Sequence, residues 1–261
     1  MTNPPIIPVL IAVAFGRLTG SVVVIDDHPG AFGAQGYRIG ELMLPIHRRL
    51  APMARLCLVT DQTWVTQVEE WGGRGLVLHE APGDWKPSSH RVLPARPHVL
   101  FVCTFAPDEP VTEVVEAAAA LPDIDFSITG DLAKSPHIET TPNVSFVGFL
   151  DRTSYRDAVD SADVIVALTT EPTSAMRAAF EAVWAEKVLV VNDWPLLKGL
   201  FPNAVHVDNS AGSIASGVSR SVHQFESLQQ LAPASRLLQL DRWDSQIASL
   251  RAAISGPPAR C

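Results

Sequence analysis

The sequence predicts an α/β protein built on parallel sheets in two unequal units, and three observations carry that reading. Apolar strand-like runs alternate with amphipathic helical stretches almost throughout, the pattern of a parallel sheet wrapped by helices. The alternation breaks over residues 80–97, where Pro82, Gly83, Pro87, Pro94 and Pro97 leave no usable period and read as an interdomain linker. After the break the chain carries about six strands, and before it only about three.

In the first part, Ile6–Phe15 is an apolar run too short to span a bilayer, with no basic residue before it, and is expected as a buried helix. Val22–Ile25 reads as a strand followed by the loop Asp26-Asp27-His28-Pro29-Gly30, and Gly40–Leu50 as a helix. Leu56–Val59 is the next strand. Asp61 is placed to cap the helix that follows, through about Trp71, and Leu76–Leu78 is a short third strand. A doubly wound sheet usually has more strands than this, so the chain reads as starting in the middle of its first domain.

In the second part the strands are Val99–Val102, Phe126–Gly130, Val144–Gly148, Val164–Ala167, Val188–Val191 and Val205–Val207. Helices are expected over Val111–Leu121, Tyr155–Ser161, Gly212–Phe225 and Leu237–Ile254. The expected divisions are 1–94 for a partial first domain, 95–225 for a complete second one, and 226–261 for a C-terminal helix able to pack back on the first.

Composition narrows the function. Of 261 residues, 47% are hydrophobic and 18% charged, which suits a globular chain with a large core. A formal net charge of -8 argues against a non-specific nucleic-acid binder, which needs a basic face. The three cysteines, Cys57, Cys103 and Cys261, are odd in number and scattered; they do not form a disulfide framework, so a reducing cytoplasm is expected. Cys57 and Cys103 lie in apolar runs and read as core residues. The histidines lack metal-ligand spacing, and there is no Gly-x-Gly-x-x-Gly, Walker-type loop or Gly-x-Ser-x-Gly elbow.

The stretch from Asp163 to Asp208 concentrates the chemistry: buried strand, polar turn Glu171–Arg177, helix with Glu181, second buried strand, and the loop Asp193-Trp194-Pro195. This order sets a helix N-terminus and two strand ends around one crevice, where open parallel sheets bind ligands. Arg177 lies one helical turn before Glu181 and so on the same face.

From Asp163 onward the chain resembles the C-terminal domain of family-4-type retaining glycosyltransferases, which have the GT-B fold of two Rossmann-like domains. Val22–Phe32 resembles a strand–loop segment of the acceptor domain in one bacterial branch, and Val144–Leu150 the strand before the donor site. Phe180-Glu181-Ala182 matches the end of the donor motif, and Asn192–Leu197 and Val205–Asn209 match later segments. The resemblance implies a GT-B-like protein with an abbreviated first domain. It implies a nucleotide-diphosphate sugar as donor in the second domain, and a small-molecule, lipid-linked or glycan acceptor in the first. No cofactor or metal is expected, nor nucleic acid; a second subunit completing the first domain and a peripheral membrane contact are the further partner expectations.

On the same resemblance Glu181 holds the nucleotide ribose, because a carboxylate accepts from two neighbouring hydroxyls. His28, with Asp26 and Asp27, faces the transferred sugar. Gly148, Phe149, Thr104 and Asp193 line the donor crevice. Two departures stand out. The family's paired glutamates, with seven residues between them, would place a Glu where Thr173 stands, while Glu171 lies two residues earlier and either reaches in from the turn as a catalytic carboxylate or faces solvent. The loop that in the family carries a Gly-Arg pair reads Cys103-Thr104-Phe105-Ala106-Pro107-Asp108-Glu109, whose acids would repel a diphosphate. Arg177 then becomes the diphosphate partner, helped by backbone N–H groups near Ser174. The alternative is a non-catalytic or partner-dependent nucleotide-sugar-binding chain.

Overall fold

The structure is a computed structural model that describes residues 1–3, 5–33, 38–87, 91–134, 139 and 141–255. The chain divides into two compact units: Met1–Ala81 with the segment from Asp241, and Pro82–Leu240.

The second unit holds six parallel strands: β5 (His98–Phe101), β6 (Asp125–Thr129), β7 (Val144–Gly148), β8 (Val164–Ala167), β9 (Val188–Asn192) and β10 (Val205–Val207). Their order across the sheet is β10-β9-β8-β5-β6-β7. All residues of β8 and β9 are buried, as expected for central strands covered on both faces. Strand alternation sorts the core: Val99 and Phe101 face one side with Val114, Ile128 and Ile214, while Leu100 faces the other with Phe180, Trp184 and Leu197. Helices α4 (Val111–Ala119) and α8 (Ala211–His223) supply the first layer; α5 (Arg152–Ser161), α6 (Arg177–Trp184) and α7 (Pro195–Leu200) supply the second. Going from β5, the chain builds outward to β6 and β7, then returns to the opposite side as β8. The β5/β8 pair is therefore the topological switch point, and a crevice opens beyond its carboxyl ends.

The first unit has four parallel strands in the order β1-β2-β3-β4: Thr2–Asn3, Val24–Asp27, Leu56–Val59 and Gly75–Val77. The three expected strands gain a fourth, because Thr2 and Asn3 pair with Asp26 and Asp27. A polar two-residue strand has no periodicity to detect. Helices α1 (Ile6–Thr19), α2 (Arg38–Leu50) and α3 (Gln62–Glu70) follow, and Asp61 caps α3 by accepting from Thr63 N at 2.8 Å.

Two expectations change. Helix α1 buries only Ile6, Val9, Val13 and Gly16; Ile7, Ile11, Phe15 and Leu18 are exposed, so an all-round apolar run forms a one-sided contact. The last helix, α9, runs unbroken over Phe225–Ser255 through Pro233, instead of starting near Leu237. The division between the two units falls inside it, after Leu240. Its later turns join the first unit through Arg55 Nε to the Ala253 carbonyl at 2.9 Å and Gln246 Nε2 against His79 Nδ1 at 2.8 Å. No helix among the described residues is long and apolar enough to cross a membrane. Cys57 and Cys103 are buried and unpaired, while Cys261 and the Gly256-Pro257-Pro258 stop lie outside the described residues.

Candidate active site

The crevice at the switch point of the second unit is a cavity of about 820 Å³. Its floor is the ends of β5 (Val102, Cys103, Thr104) and β8 (Leu168, Thr169). One wall is the start of α6 with Arg177 and Glu181, and another is α5 with Arg152, Tyr155 and Arg156. That size is within the range of small-molecule and cofactor sites.

Glu181 is buried and held at both oxygens. Tyr155 Oη donates to Oε2 at 2.6 Å, and Arg177 Nε donates to Oε1 at 2.9 Å. The helical spacing of 177 and 181 dictates the second contact, whereas the first crosses from α5 to α6. Burial, then the adjacent Glu181 carboxylate, push the Tyr155 hydroxyl well above its ordinary range, so it stays a donor. Behind it, Trp85 meets Tyr155 edge-on at 6.1 Å, and the Arg156 guanidinium lies 5.4 Å from the Trp85 ring centre. Arg156 and Arg152 share Asp84, the latter pair at 3.3 Å; the Arg156 hydrogen bond holds the Asp84 carboxyl below its usual range.

The loop after β5 is built around Glu109. Its Oε2 accepts from Thr104 N at 2.8 Å, Ala106 N at 2.7 Å and Thr104 Oγ1 at 3.3 Å. Burial raises the Glu109 carboxyl, against the pull of those N–H bonds. Phe105 at the turn's centre has φ 59°, and Gly130 makes room for its ring: a Cβ there would lie 2.6 Å from it. The neighbouring Asp108 Oδ2 accepts from Thr169 Oγ1 at 2.9 Å, tying the β5 loop to the end of β8. Thr169 is itself fixed by Asn192 and Asn209. Cys103 lines the cavity, but burial raises its thiol to about 12 and Sγ donates to the Thr129 carbonyl at 3.0 Å, so it is no nucleophile.

Among the residues expected at the donor crevice, Glu181, Arg177, Ser174, Phe149 and Thr104 line the cavity. Gly148, at φ 78°, ends β7 immediately before Phe149. Thr173 and Glu171 turn toward each other: Glu171 is buried, and Thr173 Oγ1 donates to its Oε1 at 2.5 Å. Glu171 thus neither reaches the cavity wall nor faces solvent, because its carboxylate is drawn into its own turn. Asp193 is half-exposed beside Lys198 at 3.4 Å and is not part of the cavity wall; the end of β5 supplies the second strand terminus instead of β9.

In the first unit, His28 and Asp26 are exposed and 3.8 Å apart at the end of β2. Asp27 does not share the outward face of His28 and Asp26, where the resemblance set it toward the transferred sugar. It is buried, takes a hydrogen bond from Asn3 Nδ2 at 2.9 Å and lies 3.0 Å from His47 Nε2, because strand alternation turns it inward while Asp26 turns out. Sequence reasoning missed Tyr155, Arg152, Arg156, Asp84 and Trp85, and read Glu109 only as an acid that repels a diphosphate. The i, i+4 spacing of Arg152 and Arg156 was the readable signal for α5; Asp84 and Trp85 lay in the stretch read as linker. Among the described residues, no cluster of His, Cys, Asp and Glu is arranged to hold a metal ion.

Two parallel-sheet units, the first smaller, with a crevice at the switch point of the second, define a GT-B-like fold of two Rossmann-like domains. The glycosyl transferase-like family model matches residues 111–246, more than half of the chain, and the chain belongs to that family. Among solved structures, Anabaena HepE in complex with UDP and glucose is similar with TM-score 0.75 and 12% identity, over 95% of this chain and 75% of that one. Sucrose-phosphate synthase from Thermosynechococcus elongatus is similar with TM-score 0.65 and 16% identity, over 93% and 77%. The E. coli trehalose-6-phosphate protein bound with UDP-2-fluoro glucose is similar with TM-score 0.68 and 11% identity, over 96% and 77%. No curated protein matches the chain.

Proposed function

We propose that the chain transfers a sugar from a nucleotide-diphosphate donor to an acceptor hydroxyl with retention, and that the donor occupies the cavity of the second unit. The observation that carries this is Glu181: a buried carboxylate on a ligand-sized cavity at the switch point, in a chain of the glycosyl transferase-like family. Its two oxygens already sit on donors, so ribose hydroxyls add to or replace an existing pattern without reorganising the wall. Arg177, 72% exposed at the side chain, can leave Glu181 to meet the diphosphate, where charge builds as the sugar departs. N–H groups at the start of α6, whose N-terminus has no side-chain cap, add to that pole. His28 and Asp26, exposed on the first unit, are the acceptor-side residues in this reading.

A second reading, a nucleotide-sugar-binding chain without transfer, is favoured by one observation: Thr173 stands where the family has an acid, and Glu171 is folded into its own turn.

The test is titration of the purified chain with UDP, GDP, ADP and dTDP, followed by radiolabelled donors of the best base. Binding of one nucleotide that Glu181→Ala removes supports the donor site. Product formation that His28→Ala abolishes, with nucleotide affinity unchanged, supports transfer. Binding without hydrolysis or transfer across an acceptor panel favours the second reading.

A further inference from the structure

The β5 loop has what an anion site needs, and an anion is already in it. Three donors from two turn residues on either side of Phe105, Thr104 N, Thr104 Oγ1 and Ala106 N, converge on the single oxygen Glu109 Oε2. Phe105 between them is in the left-handed region, the backbone geometry that turns nearby N–H groups into a concave nest for an oxyanion. These donors are distinct from the N-terminal amides of α4, which begins at Val111.

The nest does not depend on Glu109 for its shape. Cys103 is pinned on its inner side, its N–H donating to Thr129 Oγ1 at 3.0 Å and its carbonyl accepting from the same hydroxyl at 2.9 Å. Asp108 is pinned on the outer side by Thr169 Oγ1, and its carbonyl accepts from Thr170 N at 2.7 Å. The backbone of Glu109 returns to the Ala106 carbonyl at 3.0 Å. Withdrawing the side chain therefore leaves the donors in place. Thr104, Asp108 and Glu109 all line the cavity, so the nest opens where a ligand would lie.

We propose that the Thr104–Ala106 turn is an oxyanion-binding nest kept filled by the chain's own Glu109 carboxylate, and that a ligand phosphate enters it only by displacing Glu109. This rests on the reading of the cavity as a donor site. Glu109 is then an internal competitor that sets how tightly phosphate-bearing ligands bind. It also accounts for a loop with two acids and no base beside a site for an anionic ligand: the carboxylate occupies the place a phosphate would take.

The experiment is calorimetric titration of the full chain and of Glu109→Ala and Glu109→Gln with inorganic pyrophosphate, UDP and uridine. In Glu109→Ala, pyrophosphate and UDP should bind at least about tenfold tighter than in the parent, with uridine unchanged. Glu109→Gln should gain less, because its amide oxygen still fills the nest while losing the charge. Equal gains in the two variants would assign the effect to net charge alone and overturn the proposal. So would a folded Glu109→Ala with no gain, or, should that variant fail to fold, a folded Glu109→Gln with none. The donor reading fails separately: pyrophosphate gain without nucleotide binding by any variant keeps the nest and removes the donor site, while nucleotide binding lost in Glu181→Ala with no gain at Glu109 does the reverse.

Discussion

Tyr155 and Glu181 meet at 2.6 Å across the gap between α5 and α6, the phenol donating to a carboxylate that is buried on the cavity wall. A hydrogen bond to a charged acceptor in such a place contributes more than an ordinary one. Tyr155→Phe should lower unfolding stability by about 1–2 kcal/mol, since Glu181 loses a donor it cannot replace from water. Saturating nucleotide should shrink the difference between variant and parent, because ribose hydroxyls resupply the donor. Chemical denaturation with and without nucleotide checks both parts.

Glu181→Ala should weaken nucleotide binding by roughly tenfold to a hundredfold, the range for a hydrogen-bonded charged group. The melting transition should stay cooperative, since Glu181 lines the cavity and water can take the place of its carboxylate there. Titration calorimetry beside a thermal melt separates lost binding from lost fold.

Arg177→Ala should weaken nucleoside diphosphates about tenfold while sparing the nucleoside, because the guanidinium acts on phosphate charge. Its effect on stability should be within about 1 kcal/mol, as the Arg177–Glu181 pair is exposed on the arginine side. Paired titrations with UDP and uridine, repeated at raised salt, read this directly.

His79 should make the first unit less stable in acid. Burial lowers its imidazole from 6.5 to about 4, with a bond to the Thr60 carbonyl working the other way. Between those values the unfolded chain holds a proton that the folded chain does not. Stability is therefore full above pH 6.5 and falls as pH drops through the window toward 4, by up to about 3 kcal/mol. Urea midpoints at pH 7.5 and 4.5 should differ less in His79→Gln than in the parent.

Cys57 and Cys103 should be silent to thiol reagents in the folded chain. Burial raises both thiols, with the Asp27 carboxylate adding to the effect at Cys57, so neither offers thiolate near neutrality. In a Cys261→Ser background, a chromogenic disulfide should release nothing at pH 8 until denaturant is added, then react at both.

The two-unit α/β architecture was legible because its signals are local. Runs such as Val164–Ala167 and Val188–Val191 are long enough to show as buried parallel strands, and Asp61 announces its helix by type and position. The same holds for Glu181 and Arg177, one helical turn apart on one face. What lay beyond the sequence were contacts between segments distant along the chain. Tyr155 reaches Glu181 from another helix, and Asp84 meets Arg156 from a stretch read as linker. Strand pairing made Thr2–Asn3 a strand and turned Asp27 inward onto His47. Glu109 is the sharpest case: its charge in the β5 loop read as repulsion of a ligand, and the fold makes it the anion already in the nest. Periodicity records which face of an element is buried, so the chain alone determined its layers. Which side chains share a cavity depends on how the strands are ordered, and only the folded sheet, with β5 beside β8, decided that.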